Sequence, residues 1–200
     1  MNIELIELLP AMIIFCLIST ITPGPNNLLL AHSSAHFGIK KTLPHVLGIR
    51  LGMTSLHIAI LLGLGELFRI WPKMHTVFTV IAAGYIIYMA AKIAFAKYHK
   101  STSNGNPMSI KQAALFQLIN PKSWAVLITG SSVFTLTGDL FWPSAILGVL
   151  IFNVATLPGT FMWISIGKLV SHKLQQPRFN RFFNMTMGML LLTTVPMIFI

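Results

Sequence analysis

The sequence is poor in charged residues, and above all in acidic ones. Of its 200 residues, four are Asp or Glu and 14 are Lys or Arg, so 9% are charged, whereas soluble domains contain about 25%. Hydrophobic residues make up 54% of the chain. This composition cannot cover a water-facing surface with polar groups, and it is too apolar for a disordered chain. We therefore predict a membrane protein.

Cysteine occurs once, as Cys16. A single thiol excludes an internal disulfide and any dithiol redox mechanism within the chain. The N-terminus lacks the basic region of a signal peptide, so we expect the first apolar stretch to be permanent. A net charge of +10 favours nucleic acid binding in a soluble protein. In a membrane protein the charge reports orientation, and no nucleic-acid partner is expected.

The apolar residues form six segments separated by charged residues. Because a spanning helix needs about 20 apolar residues, we predict an all-α membrane protein with six transmembrane helices in one domain, 1–200. A polar linker from Lys97 to Pro107 divides it into halves of about 1–96 and 108–200. The helices are predicted near 6–31, 42–65, 74–95, 112–136, 141–167 and 181–199.

Basic residues are distributed unevenly among the connections. The first, third and fifth connections contain ten Lys or Arg, the second contains two, and the fourth and both ends contain none. Cytoplasmic loops carry the excess of Lys and Arg in membrane proteins. Both termini are therefore predicted to be periplasmic.

Two short matches relate the halves of the chain. Residues 21–24 (ITPG) align with 119–122 (INPK) at an offset of 98, and 47–48 (LG) align with 147–148 (LG) at 100. If a unit of three spans is repeated, the second copy enters the membrane from the opposite side. We predict a 3+3 inverted repeat with broken first and fourth helices, the architecture of many secondary transporters.

The first apolar segment contains the motif TPGPNN at residues 22–27. Pro23 and Pro25 cannot donate to the carbonyls of Ser19 and Ile21, so we expect the helix to break here. Irregular backbone at membrane depth is tolerated where it is buried in protein or lines a water-filled cavity. The freed carbonyls and the positive end of the restarting helix suit the ammonium and carboxylate of an amino acid. The alternative is a structural kink.

A second break is predicted at Asn120-Pro121-Lys122. Pro121 frees the carbonyl of Gln117, and Lys122 places an ammonium inside an apolar segment, where a charge is costly unless it faces water or a partner. Lys122 is a candidate carboxylate site; the alternative is that its long side chain reaches the cytoplasmic headgroups. The candidate substrate-binding residues of both breaks are Thr22, Pro23, Gly24, Pro25, Asn26, Asn27, Gln117, Asn120, Pro121 and Lys122.

Further candidates lie in the second segment. Gly48 and Gly52 have the spacing that allows close helix packing. Arg50, between them, is interpreted as reaching headgroups or a phosphate rather than a substrate. His57 is a candidate proton relay, with a hydrogen-bonded structural histidine as the alternative.

Other polar residues give weaker signals. His32 and His36 have helical spacing, but no third ligand accompanies them, so neither a metal site nor another cofactor is expected. Glu66 and Asp139 fall at predicted outer ends of spans and are expected to be solvated. A carboxylate in mid-membrane, the usual proton-coupling group, is missing.

Taken together, the motifs resemble the LysE/RhtB family of bacterial amino-acid exporters over the whole chain. The resemblance implies an inner-membrane secondary transporter that exports small neutral amino acids or derivatives, with protons as coupling ion; a homodimer is compatible with it. The residues that carry it are 22–27, Gly48, Gly52, 83–86 (AGYI), 120–122 and Gly188. The first motif is most similar to the cysteine and O-acetylserine exporter branch. Departures at residues 82–85, Gln117 and Val195 leave the substrate open.

Other classes of protein fit the sequence less well. An enzyme needs a nucleophile with a base, or a metal site, and neither is apparent. Three alternatives are an exporter of another small solute, a divalent-metal exporter and a membrane subunit that transports nothing. Metal export calls for His, Asp or Glu clusters in the spans, and a purely structural subunit does not need two broken helices.

Overall fold

The computed structural model describes residues 3–64, 70, 72–96 and 106–196. Within these ranges the regular structure is entirely helical, which confirms the predicted all-α class. Glu66, Arg69 and the linker residues 97–105 lie outside the described residues. The helices are α1 (Ile3–Ile21), α2 (Pro25–Phe37), α3 (Ile39–Ala59), α4 (Pro72–Ala94), α5 (Ile110–Ile119), α6 (Pro121–Phe134), α7 (Phe141–Ala155), α8 (Leu157–Val170) and α9 (Pro177–Leu192). Short helical turns follow α3 (Ile60–Leu64), precede α7 (Gly138–Leu140) and precede α9 (Lys173–Gln175).

Three helical stretches among the described residues are long and apolar enough to cross a membrane. They are Ile3–Ile21, Ile39–Leu64 and Gly138–Val170. Large apolar side chains also point outwards, and Leu62 and Val154 are 69% and 65% exposed. Exposed apolar surface of this extent is unfavourable in water and is suited to lipid.

The first and fourth predicted segments each consist of two helices. In the first, α1 ends at Ile21 and α2 begins at Pro25; in the fourth, α5 ends at Ile119 and α6 begins at Pro121. Gly24 and Asn120 precede the prolines in extended conformation. Proline is favourable at the first helical position, where it forfeits no helical hydrogen bond. The same residues that end one helix therefore start the next.

A milder interruption lies in the fifth segment, which is predicted as one helix over 141–167. It is divided at Thr156 into α7 and α8, but Thr156 keeps a helical backbone conformation, and its N–H donates to the Phe152 carbonyl. Pro158 lies in the first turn of α8. Because proline cannot donate a backbone hydrogen bond, the helix restarts just before it.

Several helix ends differ from the predicted ones for local reasons. Ser109 accepts from the backbone N–H of Gln112, whose side chain accepts from the N–H of Ser109, and this capping box starts α5. The last helix begins at Pro177, earlier than predicted, because the first helical position favours proline. Gly38 alone connects α2 and α3 with a φ of 80°, a conformation that glycine adopts at little cost.

Small residues bring helices of the two halves into close contact. Gly48 and Gly52 of α3 lie against α5, and a Cβ at Gly52 would lie 2.5 Å from the carbonyl oxygen of Ala114. In the same way α4 packs on α9, where a Cβ at Gly188 would lie 2.7 Å from the carbonyl oxygen of Ala90. Close packing of this kind needs residues without large side chains.

The helix α2 packs along α8 through direct backbone approach. A Cβ at Gly167 would collide with the carbonyl oxygen of Ala31, and Ser34 Oγ donates to the carbonyl of Ile164 at 2.8 Å. The broken segment of each half thus packs on the second segment of the other half, and α4 packs on α9. This arrangement positions the two breaks next to each other.

Candidate substrate site between two broken helices

The first break is held by side chains that bond to the end of α1. Asn27 Nδ2 donates to the carbonyl oxygens of Thr20 and Thr22, at 2.7 and 2.8 Å. Trp163 Nε1 of α8 also donates to the Thr20 carbonyl, at 3.1 Å, and the Ser19 carbonyl accepts the hydroxyl of Thr22 at 3.0 Å. The protein's own donors therefore satisfy the Ser19 carbonyl, one of the two that the prolines free, and the carbonyls of Thr20 and Thr22.

Lys122, from the second break, reaches the first. Its Nζ donates to the carbonyl oxygen of Thr22 at 2.7 Å, to Thr22 Oγ1 at 2.8 Å and to the carbonyl oxygen of Pro23 at 3.2 Å. The ammonium thus lies at the negative end of the α1 dipole, where a cation is stabilised. A Cβ at Gly24 would lie 2.6 Å from Lys122 Cδ, so this path of the lysine requires a glycine.

A reciprocal amide pair joins the breaks a second time. Asn26 Nδ2 donates to Gln117 Oε1 at 2.8 Å, and Gln117 Nε2 donates to Asn26 Oδ1 at 3.1 Å. Gln117 Nε2 also donates to the Ala113 carbonyl, and Gln117 Oε1 accepts the hydroxyl of Ser123, both at 2.8 Å. Gln117 is fully buried. Both donors and both acceptor positions of the Gln117 side chain are used. Gln117 therefore links α2 and α5 by hydrogen bonds in one orientation.

A cavity of about 70 Å³ lies between the two breaks. One water needs about 10–15 Å³ by this measure, so the cavity has room for several waters or a small solute. Its apolar walls come from Leu30, Ile49, Met53, Val126 and Phe152. Its polar lining consists of hydroxyls, amides and two cations: Ser19, Thr20, Asn26, Asn27, Arg50, Asn120, Lys122, Ser123, Thr156 and Thr160.

The ten predicted binding residues divide into two groups. Gly24, Asn26, Asn27, Asn120 and Lys122 line the cavity. The other five support it from outside the lining: Thr22 and Pro23 are exposed, Pro121 is half-buried, and Pro25 and Gln117 are buried.

Asn120 lines the cavity and has an unused hydrogen-bond acceptor. Its side chain is 1% exposed, and its Oδ1 has no hydrogen-bond partner among the described residues. It precedes α6 without capping it through its side chain. A buried carbonyl oxygen without a donor costs about 1–3 kcal/mol, so this position favours a solute that brings a donor.

Arg50 does not lie where the sequence predicts. It is half-buried and lines the cavity. Its Nη1 donates to the hydroxyl of Thr156, between α7 and α8, and its Nη2 donates to the hydroxyl of Thr160 on α8. The headgroup interpretation is therefore wrong. One signal was present: Gly48 and Gly52 mark the face of α3 that meets α5, and a residue midway between them points to the opposite face.

Comparison with known proteins identifies the family of this chain. The family model described as LysE type translocator matches residues 17–195. The chain belongs to the LysE family. It is similar to the cysteine/O-acetylserine efflux proteins of Escherichia coli strain K12, Escherichia coli O139:H28 and Shigella flexneri, at 29% identity each over 197 residues, which is 96% of this chain and 97% of theirs. No solved structure is significantly similar to it. The LysE-family chain is a membrane-integral transporter and not an enzyme.

His57 of this LysE-type translocator lies outside the cavity between the breaks. It lines a smaller cavity of about 20 Å³ together with Ser131. His57 Nδ1 and Ser131 Oγ are both buried without a hydrogen-bond partner in the described part of the chain. The volume of this cavity suits one water. Val126 and Phe152 line both cavities.

The histidines of α2 pack against α9. His36 Nδ1 is 3.0 Å from the His32 carbonyl oxygen, and His36 Nε2 is 3.4 Å from Asn180 Nδ2. The ring of Phe183 stacks on His32 at a centroid distance of 6.4 Å. Over the ranges that the structure describes, no three His, Cys, Asp or Glu residues are grouped to hold a metal ion. Their contacts identify these histidines as packing residues between α2 and α9.

Proposed function

We propose that this translocator exports small amino acids or their derivatives from the cytoplasm and binds them in the cavity between the two breaks. One observation carries the proposal: the cations Arg50 and Lys122 line the same cavity as Asn120, whose Oδ1 has no hydrogen-bond partner among the described residues. An amino acid carries the complementary groups, a carboxylate and an ammonium. Buried charges are stable only when they are paired and hydrogen-bonded.

The two ends of the solute have separate partners. Its carboxylate binds Lys122, which exchanges bonds to Thr22 and Pro23 for a bond to a full negative charge. The N-terminus of α2 adds a positive dipole end at the same place. Its ammonium donates to Asn120 Oδ1. Solute binding thereby releases the lysine from the end of α1, which couples occupancy of the cavity to the conformation of the first break.

The lining favours small polar solutes. Hydroxyls and amides predominate among its polar groups, and the volume is about 70 Å³. The curated relatives are named for cysteine and O-acetylserine, which are small neutral amino acids. We propose small neutral amino acids and their derivatives as the exported class, in preference to lipids or aromatic drugs.

The arrangement in the membrane is a 3+3 inverted repeat of six spans in the bacterial inner membrane, with periplasmic termini. The packing of the described segments supports it, because the first segment packs on the fifth and the fourth packs on the second, a relation that is kept when the two halves are exchanged. The parts in closest contact differ: they are α2, which follows the first break, and α5, which precedes the second. The third segment of the first half, α4, packs on the third segment of the second half, α9, so this pair is unchanged when the halves are exchanged. The concentration of basic residues in alternate connections supports the orientation.

Protons are the proposed coupling ion, by antiport. His57 is the proposed relay, because it lines a water-sized cavity together with Ser131, and Val126 and Phe152 line both this cavity and the solute cavity. A homodimer remains a prediction of the family resemblance.

The test of the proposed function is transport by the purified protein. Proteoliposomes loaded with labelled cysteine, O-acetylserine or serine should release the label faster than liposomes without protein. An imposed pH gradient should change the rate of release. Asn120→Leu, which removes the acceptor, should slow release. Release at the background rate for the whole panel would contradict amino-acid export.

A further inference from the structure

The two cations in the cavity are compensated to different extents. Lys122 bonds to three oxygens, two of them carbonyls at the negative end of α1. Arg50 bonds only to the neutral hydroxyls of Thr156 and Thr160, and its buried Nε has no partner among the described residues. No Asp or Glu is present in the described lining. Thus no anionic side chain in the described lining of the cavity pairs with the Arg50 guanidinium.

The guanidinium is held in a fixed orientation. The Thr156 hydroxyl donates to the Phe152 carbonyl at 2.5 Å, and the Thr160 hydroxyl donates to the Thr156 carbonyl at 2.9 Å. Both hydroxyl oxygens therefore offer lone pairs to Arg50. Of the five N–H groups of a guanidinium, these bonds use two. The remaining donors suit a carboxylate, which arginine binds with two parallel hydrogen bonds.

A purely structural link between these helices does not need a charge. Nearby, Thr54 of α3 and Asn153 of α7 are linked by neutral hydrogen bonds of 2.9 and 3.1 Å. Burying a cation for the same purpose is costly, since a charge removed from water needs a counter-charge. The presence of Arg50 in the lining is better explained by a ligand.

We propose that Arg50 binds a second acidic group of the solute, so that an acidic amino acid binds more tightly than its neutral isostere. The inference rests on the proposed function, in which Lys122 takes the α-carboxylate and Asn120 the ammonium, and it extends the solutes bound at that site from neutral amino acids to acidic ones. A neutral side chain leaves Arg50 without an anion, whereas a side-chain carboxylate supplies it. Aspartate and asparagine are the appropriate pair, because they have the same size and differ in this charge.

The test is direct binding to the purified protein in lipid nanodiscs, measured by calorimetry with L-aspartate and L-asparagine. A hydrogen bond to a charged group supports a preference of about tenfold or more for aspartate. In Arg50→Gln the two dissociation constants should agree within about twofold, whereas Arg50→Lys should keep part of the preference. Lys168→Gln, which removes an exposed cation from the end of α8, is the matched control and should keep all of it.

The proposal is contradicted if the wild type binds asparagine as tightly as aspartate, or if it binds neither. It is also contradicted if Arg50→Gln weakens both ligands equally, the result expected of a structural link between α3 and α8. The wild-type ratio needs no variant, so misfolding of Arg50→Gln does not remove the test. Transport is measured separately: failure to export any amino acid contradicts the proposed function, while the binding ratio still decides the role of Arg50.

Discussion

The ammonium of Lys122 at the start of α6 lies 2.7 Å from the carbonyl oxygen of Thr22 at the end of α1. A residue of the second break is therefore part of the first. Together with the pair of Asn26 and Gln117, this contact makes the two breaks one structure with a shared cavity. A change in either break is expected to affect the other.

Replacing Lys122 tests its role towards the solute. Lys122→Gln keeps polarity and removes the charge. It should weaken an amino acid by about one to two powers of ten, the contribution of a hydrogen bond to a charged group. A decarboxylated amine should be affected little. The measurement is the apparent affinity of each ligand in proteoliposomes, for the wild type and for Lys122→Gln. Lys111→Gln, which removes an exposed lysine, is the control. Equal weakening of both ligands would mean that Lys122 only holds the first break.

The amide pair is expected to stabilise the fold. Gln117→Leu leaves Asn26 and Ser123 without their partner in a buried site, so the free energy of unfolding should fall by about 1–3 kcal/mol. In the double variant Gln117→Leu with Asn26→Leu, the free energy of unfolding should fall by less than the sum of the losses in the two single variants, and the difference should be about 0.5–3 kcal/mol. Unfolding in mixed detergent micelles measures both values. Strict additivity would show that the pair does not act as a unit.

Gly24 is expected to be intolerant of a side chain because of Lys122. Gly24→Ala places a methyl 2.6 Å from Lys122 Cδ, so the lysine must leave Thr22 and Pro23. The thermal stability of the protein should fall, and it should recover in part when Lys122→Ala is added. Gly84→Ala is the matched control, since nothing lies within 4 Å of a Cβ there. A Gly24→Ala protein as stable as the wild type would argue against this path of the lysine.

Single cysteines test the predicted orientation. In a Cys16→Ser background, Ser103→Cys in the polar linker should react with an impermeant maleimide only from the cytoplasm. Thr137→Cys, exposed before α7, should react only from the periplasm. The reason is the excess of basic residues in alternate connections. Labelling of both positions from one side would remove the inverted repeat.

Local chemistry explains which features the sequence predicts. The breaks at Pro23, Pro25 and Pro121 follow from missing backbone donors, a property of the residue itself. Arg50 contacts Thr156 and Thr160, which are more than a hundred positions away in the sequence. The residues next to Arg50 indicate which face of α3 it lies on, but they do not predict these partners.

The occupation of the freed carbonyls also required the structure. The prolines in the sequence correctly predict where α1 ends. They do not predict that Asn27 and Trp163 donate to the Thr20 carbonyl. Asn27 is local and could have been recognised as a side chain that satisfies a preceding carbonyl. Trp163 comes from the other half of the chain.

The central claim is that the solute binds at the two breaks, and the most direct measurement is export by a variant in which the first break is removed. Pro23→Ala with Pro25→Ala restores the missing backbone donors, so α1 and α2 should join and displace Asn27 and Lys122 from the Thr22 carbonyl. Pro10→Ala, an exposed proline within α1, is the matched control. In proteoliposomes with equal amounts of folded protein, labelled amino acid should be exported by the wild type and by Pro10→Ala, and at the background rate by the double variant. Export by the double variant at the wild-type rate would contradict the account.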